Sequence, residues 1–205
     1  MLRIPLIDLE EVKKNPIAYR SKHEGKKRNG INMSIYMILR NAVFEYHKNQ
    51  DYIQAMNYLE TRLEDREDKK KCQQAVEHLQ WYVEEYNKLR WPLIQTRKNI
   101  TVPLTTQYED SIIVSGQVSR LDMLPDNGYA AWLFRKKGAN NWLRELQMPI
   151  IQNAVGVDLG KIHKARVIVG IISFEERFIG HHEFNEDKIK HAHLELEDLF
   201  KQMGY

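Results

Sequence analysis

One cysteine in 205 residues, Cys72, rules out an internal disulfide and suits a reducing compartment or indifference to redox. It falls on the apolar stripe of a predicted helix, the place of a small buried hydrophobe rather than a reactive thiol. Long apolar runs are also missing, since no segment approaches the ~20 residues a membrane helix needs. The opening Met1-Leu-Arg-Ile-Pro-Leu-Ile-Asp8 holds too short an apolar stretch for a signal peptide. The expectation is a soluble, intracellular, cytoplasmic chain with no membrane partner. There is no Gly-x-x-x-x-Gly-Lys-Ser/Thr sequence, which excludes a P-loop nucleotide site. Ser111 and Ser173 lack the His/Asp arrangement of nucleophilic catalysis. Neither an internal repeat nor a low-complexity segment is visible.

Net charge is small as well. A formal +3 does not by itself point to a polyanion, but the cations are clustered. Between Lys13 and Arg40 stand Lys13, Lys14, Arg20, Lys22, Lys26, Lys27, Arg28 and Arg40 against one acid, Glu24. Arg135, Lys136, Lys137 and Arg144 form a second cluster, and Lys161, His163, Lys164 and Arg166 a third. Such clusters suit a phosphate backbone, although surface lysines are commonly just solvated.

With 42% hydrophobic residues the chain can bury one good core. Its first half reads as helical. A short helix is predicted from Asp8 to Lys14, ending before Asn15-Pro16, and Lys22 to Gly30 reads as a loop. Apolar residues at helical spacing mark three further helices. Ile31, Ile35, Ile38, Leu39, Ala42 and Tyr46 carry the first, and Tyr52, Met56, Leu59 and Leu63 the second. Cys72, Ala75, Val76, Leu79, Val83, Tyr86 and Leu89 carry a longer third, stopped at Trp91-Pro92. The mixed-sign run Arg62 to Lys71 reads as an exposed junction.

The second half turns to β-branched and aromatic residues. Asn99 to Thr106, Ser111 to Met123 and Tyr129 to Lys136 predict an antiparallel meander, with turns at Glu109-Asp110 and Pro125-Asp-Asn-Gly128. A helix from Trp142 to about Val155, an apolar strand from Arg166 to Phe174, an outer strand from Arg177 to Glu183 and a helix from Glu186 to Met203 complete the order. The fold class is α/β (α+β), with a mixed central sheet of about five strands flanked by helices. The apolar strand belongs at its centre. A helical region over 1–98 would pack on a βββαββα core over 99–205.

Three stretches carry candidate chemistry: Val114-Ser-Gly-Gln-Val-Ser-Arg-Leu-Asp122, Ala131-Trp-Leu-Phe-Arg-Lys-Lys-Gly138 and Leu146-Gln-Met-Pro-Ile-Ile151. Together they resemble the core of the PD-(D/E)XK nuclease superfamily, in particular its RecB-like branch. That pattern runs Gly-x-x-Asp-Arg-x-Asp on one strand, Asp-x-Lys-x-Gly on the next and Gln-x-x-x-Tyr on the following helix. Gly116, Arg120, Asp122, Lys136, Gly138 and Gln147 stand where the pattern has them. Ser119 and Phe134 stand where it has metal-binding carboxylates. Asn15-Pro-Ile-Ala-Tyr19 is similar to the Cys-Pro-x-x-Phe/Tyr segment that opens many RecB-like domains. Tyr36 is the nearest residue to the helix histidine that binds metal there. The iron–sulfur cluster of some relatives needs four thiolates, which this chain does not have.

The resemblance implies a restriction-endonuclease-like core with Lys136 and Gln147 as vestigial catalytic residues. In active members, paired carboxylates hold Mg²⁺, which polarises the phosphate and supplies hydroxide. Ser119 and Phe134 cannot do this, so no metal and no cofactor are expected. If the chain were active, with Mg or Mn, Asp122 or Glu145 would have to serve. Asp122, three residues from Ser119, faces the other way unless a bulge intervenes. Glu145 lies about 200° round a helix from Gln147. His181-His182 and His191/His193 diverge and read as solvated or capping residues. Trp132, Trp142, Tyr129 and Phe134 stand among cations, an arrangement that can stack bases but individually reads as core.

Three functions remain open at this point. The first is a nucleic-acid-binding accessory protein that has lost catalysis, acting in DNA replication, recombination or a phage or mobile element. It would use Lys26, Lys27, Arg28, Arg120, Arg135, Lys137 and Arg144 on DNA. The second is a metal-dependent deoxyribonuclease with relocated acids. The third is an interaction module with a protein partner or a second copy of itself.

Overall fold

The apolar run Val167–Ser173 has every residue buried, and it forms the strand around which two helical layers close. The computed structural model of the chain describes residues 1–23, 33–159 and 166–205. In chain order the elements are β1 (Leu2–Pro5), α1 (Leu9–Lys14), α2 (Pro16–His23), α3 (Ile35–Asn49), α4 (Tyr52–Leu63), α5 (Lys69–Leu89) and β2 (Leu93–Thr101). A single turn, α6 (Thr106–Glu109), leads to β3 (Ile112–Met123) and β4 (Tyr129–Arg135). Then follow α7 (Gln147–Leu159), β5 (Val167–Ser173), β6 (Phe178–His182) and α8 (Glu186–Gln202).

Local chemistry sets most of these boundaries. Ser34, Asp51, Asp68 and Asn185 cap α3, α4, α5 and α8, each side chain accepting a first-turn amide. Gln50 and Arg90 end α3 and α5 in left-handed conformations. Pro16 opens α2 directly after Asn15, because a proline at the first helical position gives up only an amide that would be unpaired anyway.

The sheet is mixed and six-stranded, β1-β3-β4-β5-β6, with β2 paired to the far edge of β3. The expected meander is present as antiparallel β2–β3–β4, and β5 runs parallel to β4 and antiparallel to β6. The sixth strand is β1. Four residues ending in a proline carry little sequence signal, yet they pair parallel with Ile112–Ser115. The boundary expected between 98 and 99 falls inside β2, and β1 from the first half completes the sheet of the second. The loop expected over 22–30 begins inside α2, and its residues from 24 onward lie outside the described ones.

Each sheet face has its own core. On one, α1, α2, α7 and α8 cover Ile4, Val114, Leu121, Val169 and Ile171. On the other, α3, α4 and α5 cover Trp132, Phe134, Ile168, Ile172 and Phe174. Helix α7 starts at Gln147 rather than Trp142, which puts Pro149 in the first turn, where it is tolerated. Cys72 is half-buried and packs against the second core. Among the described residues, no helix is long and apolar enough to cross a membrane.

Gly170 is where β5 meets β4 and β6 most closely. A Cβ there would lie 2.6 Å from the Gly180 carbonyl oxygen and 2.7 Å from the Trp132 ring. Backbone cannot yield as a flexible side-chain tip can. Gly170→Ala should lower stability to urea by about 1–3 kcal/mol, the usual cost of overpacking, and an unchanged midpoint would refute this close approach.

Candidate nucleic-acid interface

Strands β3 and β4 pair only from Arg120↔Trp132 to Met123↔Tyr129, then diverge. Past that point Ser119 takes over from the ladder, its Oγ accepting the Phe134 N–H at 2.9 Å. The alternation of faces slips here too. Val118 and Leu121 belong to one core, whereas Arg120 is buried with Asp122 below Trp132 and Tyr82. Opposite the slip, between Thr96 and Lys98, Arg97 has φ 53°. Ser119 is thus a backbone acceptor at a strand junction rather than a stand-in ligand.

Arg120 and Asp122, one and three residues beyond Ser119, are wholly buried. Arg120 donates through Nε to Asp122 Oδ2 at 2.9 Å and through Nη1 to Tyr82 Oη at 2.6 Å. Trp132 Nε1 donates to the same Asp122 oxygen at 2.9 Å. The rings of Tyr86, Trp132 and Tyr82 surround the guanidinium at 4.8, 5.3 and 5.7 Å. Burial alone would lower the Arg120 pKa, but Tyr82 and Asp122 hold it up. This corrects the expectation that Arg120 meets nucleic acid, because its charge is spent inside the protein. Asp122 is likewise withdrawn from any metal. Burial outweighs Arg120 and Trp132 and pushes its carboxyl up to about 6.

Phe134 is packed against Phe44, Tyr82 and Phe174, with ring centroids 5.5–5.7 Å apart. Trp132 is fully buried, so both aromatics are core. Glu145 is exposed in the turn before α7 rather than within a helix. The metal that the resemblance would bring in therefore does not fit these residues. Among the described residues no three of His, Cys, Asp and Glu gather as ligands, the four C-terminal histidines included. His193 instead bonds Asn153, and His181 lies against Trp91 and Trp132.

Lys136 and Gln147 engage different partners. Lys136 approaches Glu175 at 3.3 Å and lines a cleft against α3 and α5. Gln147 is buried at the start of α7, where its Nε2 donates to the Leu6 carbonyl at 2.6 Å and its N–H to Glu10 at 3.0 Å. It acts as a brace between α7 and the end of β1.

Two guanidiniums converge on that brace. Gln147 Oε1 accepts from Arg135 Nη2 at 2.8 Å and from Arg144 Nη1 at 3.4 Å. Neither arginine has a carboxylate partner among the described residues. Burial, then Arg144, bring the Arg135 pKa down to about 10, so it stays charged at neutral pH. Lys137 stands beside them, 70% exposed and only 3.4 Å from Glu175. Close behind is Tyr36, whose phenol burial pushes up to about 12 against the opposing pull of Arg40 and Arg135. Its hydroxyl and Arg40 Nε are buried without a hydrogen-bond partner among the described residues. Of the expected contacts to DNA, Arg135, Lys137 and Arg144 thus share one patch, while Lys26, Lys27 and Arg28 lie outside the described residues. That Tyr36 of α3 feels the charge of Arg135 at the end of β4, about a hundred residues on, is something no local pattern announces.

The three-layer arrangement, a mixed six-stranded sheet with helices on both faces, is consistent with a nuclease-like core. No family profile and no curated protein sequence matches the chain. Among solved structures it is similar to a "putative exonuclease" from Eubacterium rectale, with TM-score 0.54 and 9% identity over 98% of this chain and 81% of that one. At that identity the shared feature is the fold. A second structure, of SSO0001, covers 96% of this chain and 86% of its own at 14% identity with a TM-score of 0.35.

Two outcomes test this site. Reinstating an acid by Phe134→Asp should destabilise the fold by more than about 3 kcal/mol, because an unpaired charge would enter an aromatic cluster. A variant of near-native stability that binds Mn²⁺ in calorimetry would contradict the packing. The second concerns His47, which bonds Tyr82 Oη and whose pKa burial, then Arg120, lower to about 3. A lowered imidazole pKa favours folding above the unfolded value near 6.5, and the benefit is lost as pH falls towards 3. The slope is up to ~1.4 kcal/mol per pH unit. Asp122, raised to about 6, acts in the opposite sense between about 4 and 6. His47→Gln should therefore flatten the acid loss of urea stability between pH 6.5 and 4, and a parallel curve would refute a neutral buried imidazole.

Proposed function

We propose that the protein is a nucleic-acid-binding accessory protein that uses a nuclease-like fold without metal-dependent hydrolysis. The observation that carries this reading is the Arg135–Arg144 pair, two guanidiniums on one amide oxygen with no carboxylate among the described residues to neutralise them. Like charges held together in a half-buried site are unfavourable unless an anion joins them, and phosphate accepts planar guanidinium donors well. Lys137 extends the same positive surface. The absence of carboxylates at Ser119 and Phe134, and the internal use of Asp122, support a binding role over the nuclease with relocated acids. DNA is the proposed partner, and replication, recombination or a phage or mobile element is the proposed setting.

Anisotropy with labelled single- and double-stranded DNA at two salt concentrations tests this. Binding should weaken steeply with salt. The pair Arg135→Gln with Arg144→Ala should cost about tenfold in affinity and lower the salt slope by about two. Cleavage in Mg²⁺ or Mn²⁺ that disappears in Lys136→Ala would overturn the non-catalytic reading. No binding at low salt would leave the protein-interaction reading in its place.

A further inference from the structure

The cleft beside Lys136 has a volume of about 450 Å³, within the ~300–1,000 Å³ range of small-molecule sites. Its walls come from the first turns of α3, from α5 and from the ends of β4 and β5. Ile35, Leu39, Ala75 and Phe174 give it an apolar interior. The polar groups are few and placed at the edges. Tyr36 Oη is buried with no hydrogen-bond partner among the described residues, and His78, whose pKa burial and then Arg177 lower, is a neutral acceptor or donor. Lys71 and Lys136 stand at the rim, the first beside Asp68 and the second sharing Glu175 with Lys137. Tyr36, which lines this cleft, also lies within electrostatic reach of Arg135 in the proposed phosphate-binding patch.

We propose that this cleft receives one unpaired nucleotide, the base against Phe174 and Leu39 with Tyr36 Oη on its polar edge, and the phosphate at Lys71 and Lys136. A flat ring with polar rims and an attached anion matches apolar walls, isolated hydrogen-bonding groups and rim cations together. A phosphate alone would have no use for the walls, and an acyl chain none for the cations or for Tyr36. A base inside a duplex cannot enter a walled cleft, so the occupant is unpaired: a free nucleotide, a strand end, a single strand or a bulge. The proposal rests on the nucleic-acid reading for its biological source, but the pocket can be tested apart from it.

Calorimetry with dAMP and with deoxyribose 5-phosphate tests the cleft, and anisotropy with a duplex carrying or lacking one bulged adenine tests the source. dAMP should bind and the base-free sugar phosphate should not. Gln74→Trp, which fills the mouth from an exposed position of α5, should weaken dAMP on the order of tenfold, and Tyr36→Phe less. The bulge should raise duplex affinity in the native protein and not in Gln74→Trp. Equal binding of the base-free compound, or dAMP affinity unaltered in Gln74→Trp, would overturn the nucleotide site. Salt-dependent duplex binding with no bulge effect and no dAMP binding would also overturn it while leaving the proposed function intact. dAMP binding blocked by Gln74→Trp, with no oligonucleotide retained, would uphold the cleft for free nucleotides and remove the nucleic-acid reading.

Discussion

Arg120 is a full positive charge at the centre of the molecule, and the arrangement around it determines how α3 and α5 sit on the sheet. Its guanidinium is held by Asp122 from the same strand, by Tyr82 from α5 and by rings from α5 and β4. His47 from α3 closes the chain of contacts through Tyr82. A buried ion pair adds little to stability over an apolar replacement, but removing one partner leaves an unpaired charge and is expensive. The cluster therefore ties both helices to β3, because Tyr82 of α5 bonds the guanidinium directly and His47 of α3 bonds Tyr82.

One consequence is a division of labour along β3 and β4. Charges near the middle of the sheet, Arg120 and Asp122, neutralise each other and are sealed. Charges beyond the point where the strands part, Arg135 and Arg144, meet no acid among the described residues and share a single amide. The same fold region thus holds two arginine environments a few residues apart. One is structural because its counter-charge is built in, and the other is available because it is not. Ser119 marks the border, with a hydroxyl that satisfies the first unpaired amide of β4.

Much of the architecture was legible in the sequence. Periodicity located α3, α4, α5 and α8, and the apolar run Val167–Ser173 announced a strand buried on both faces. Strand β1 escaped notice because its apolar alternation spans four residues and gains meaning only beside Ile112–Ser115. The early start given to α7 came from treating Trp142 as helical, when Pro149 in fact fits the first turn of a helix begun at Gln147. For the site, the replacement of acids by Ser119 and Phe134 could be read directly, as could the proximity of Arg135 and Lys137. The fate of Arg120 could not, because exposure depends on Tyr82 and His47, 38 residues and more away in the chain.

Residue types and local spacing by themselves determined the absence of disulfides, the alternation of helices and strands, and the lack of carboxylates at two positions of a nuclease-like pattern. These are properties of single positions or of neighbours on one element, where the chemistry is local. Tertiary structure alone decided which arginines are spent and which are free. It also decided that Gln147 is a brace and that the Tyr36 hydroxyl is buried without a hydrogen-bond partner among the described residues. The reason is physical: the state of a charge or a hydroxyl is set by burial and by partners within a few ångströms, and in this fold those partners come from distant parts of the chain.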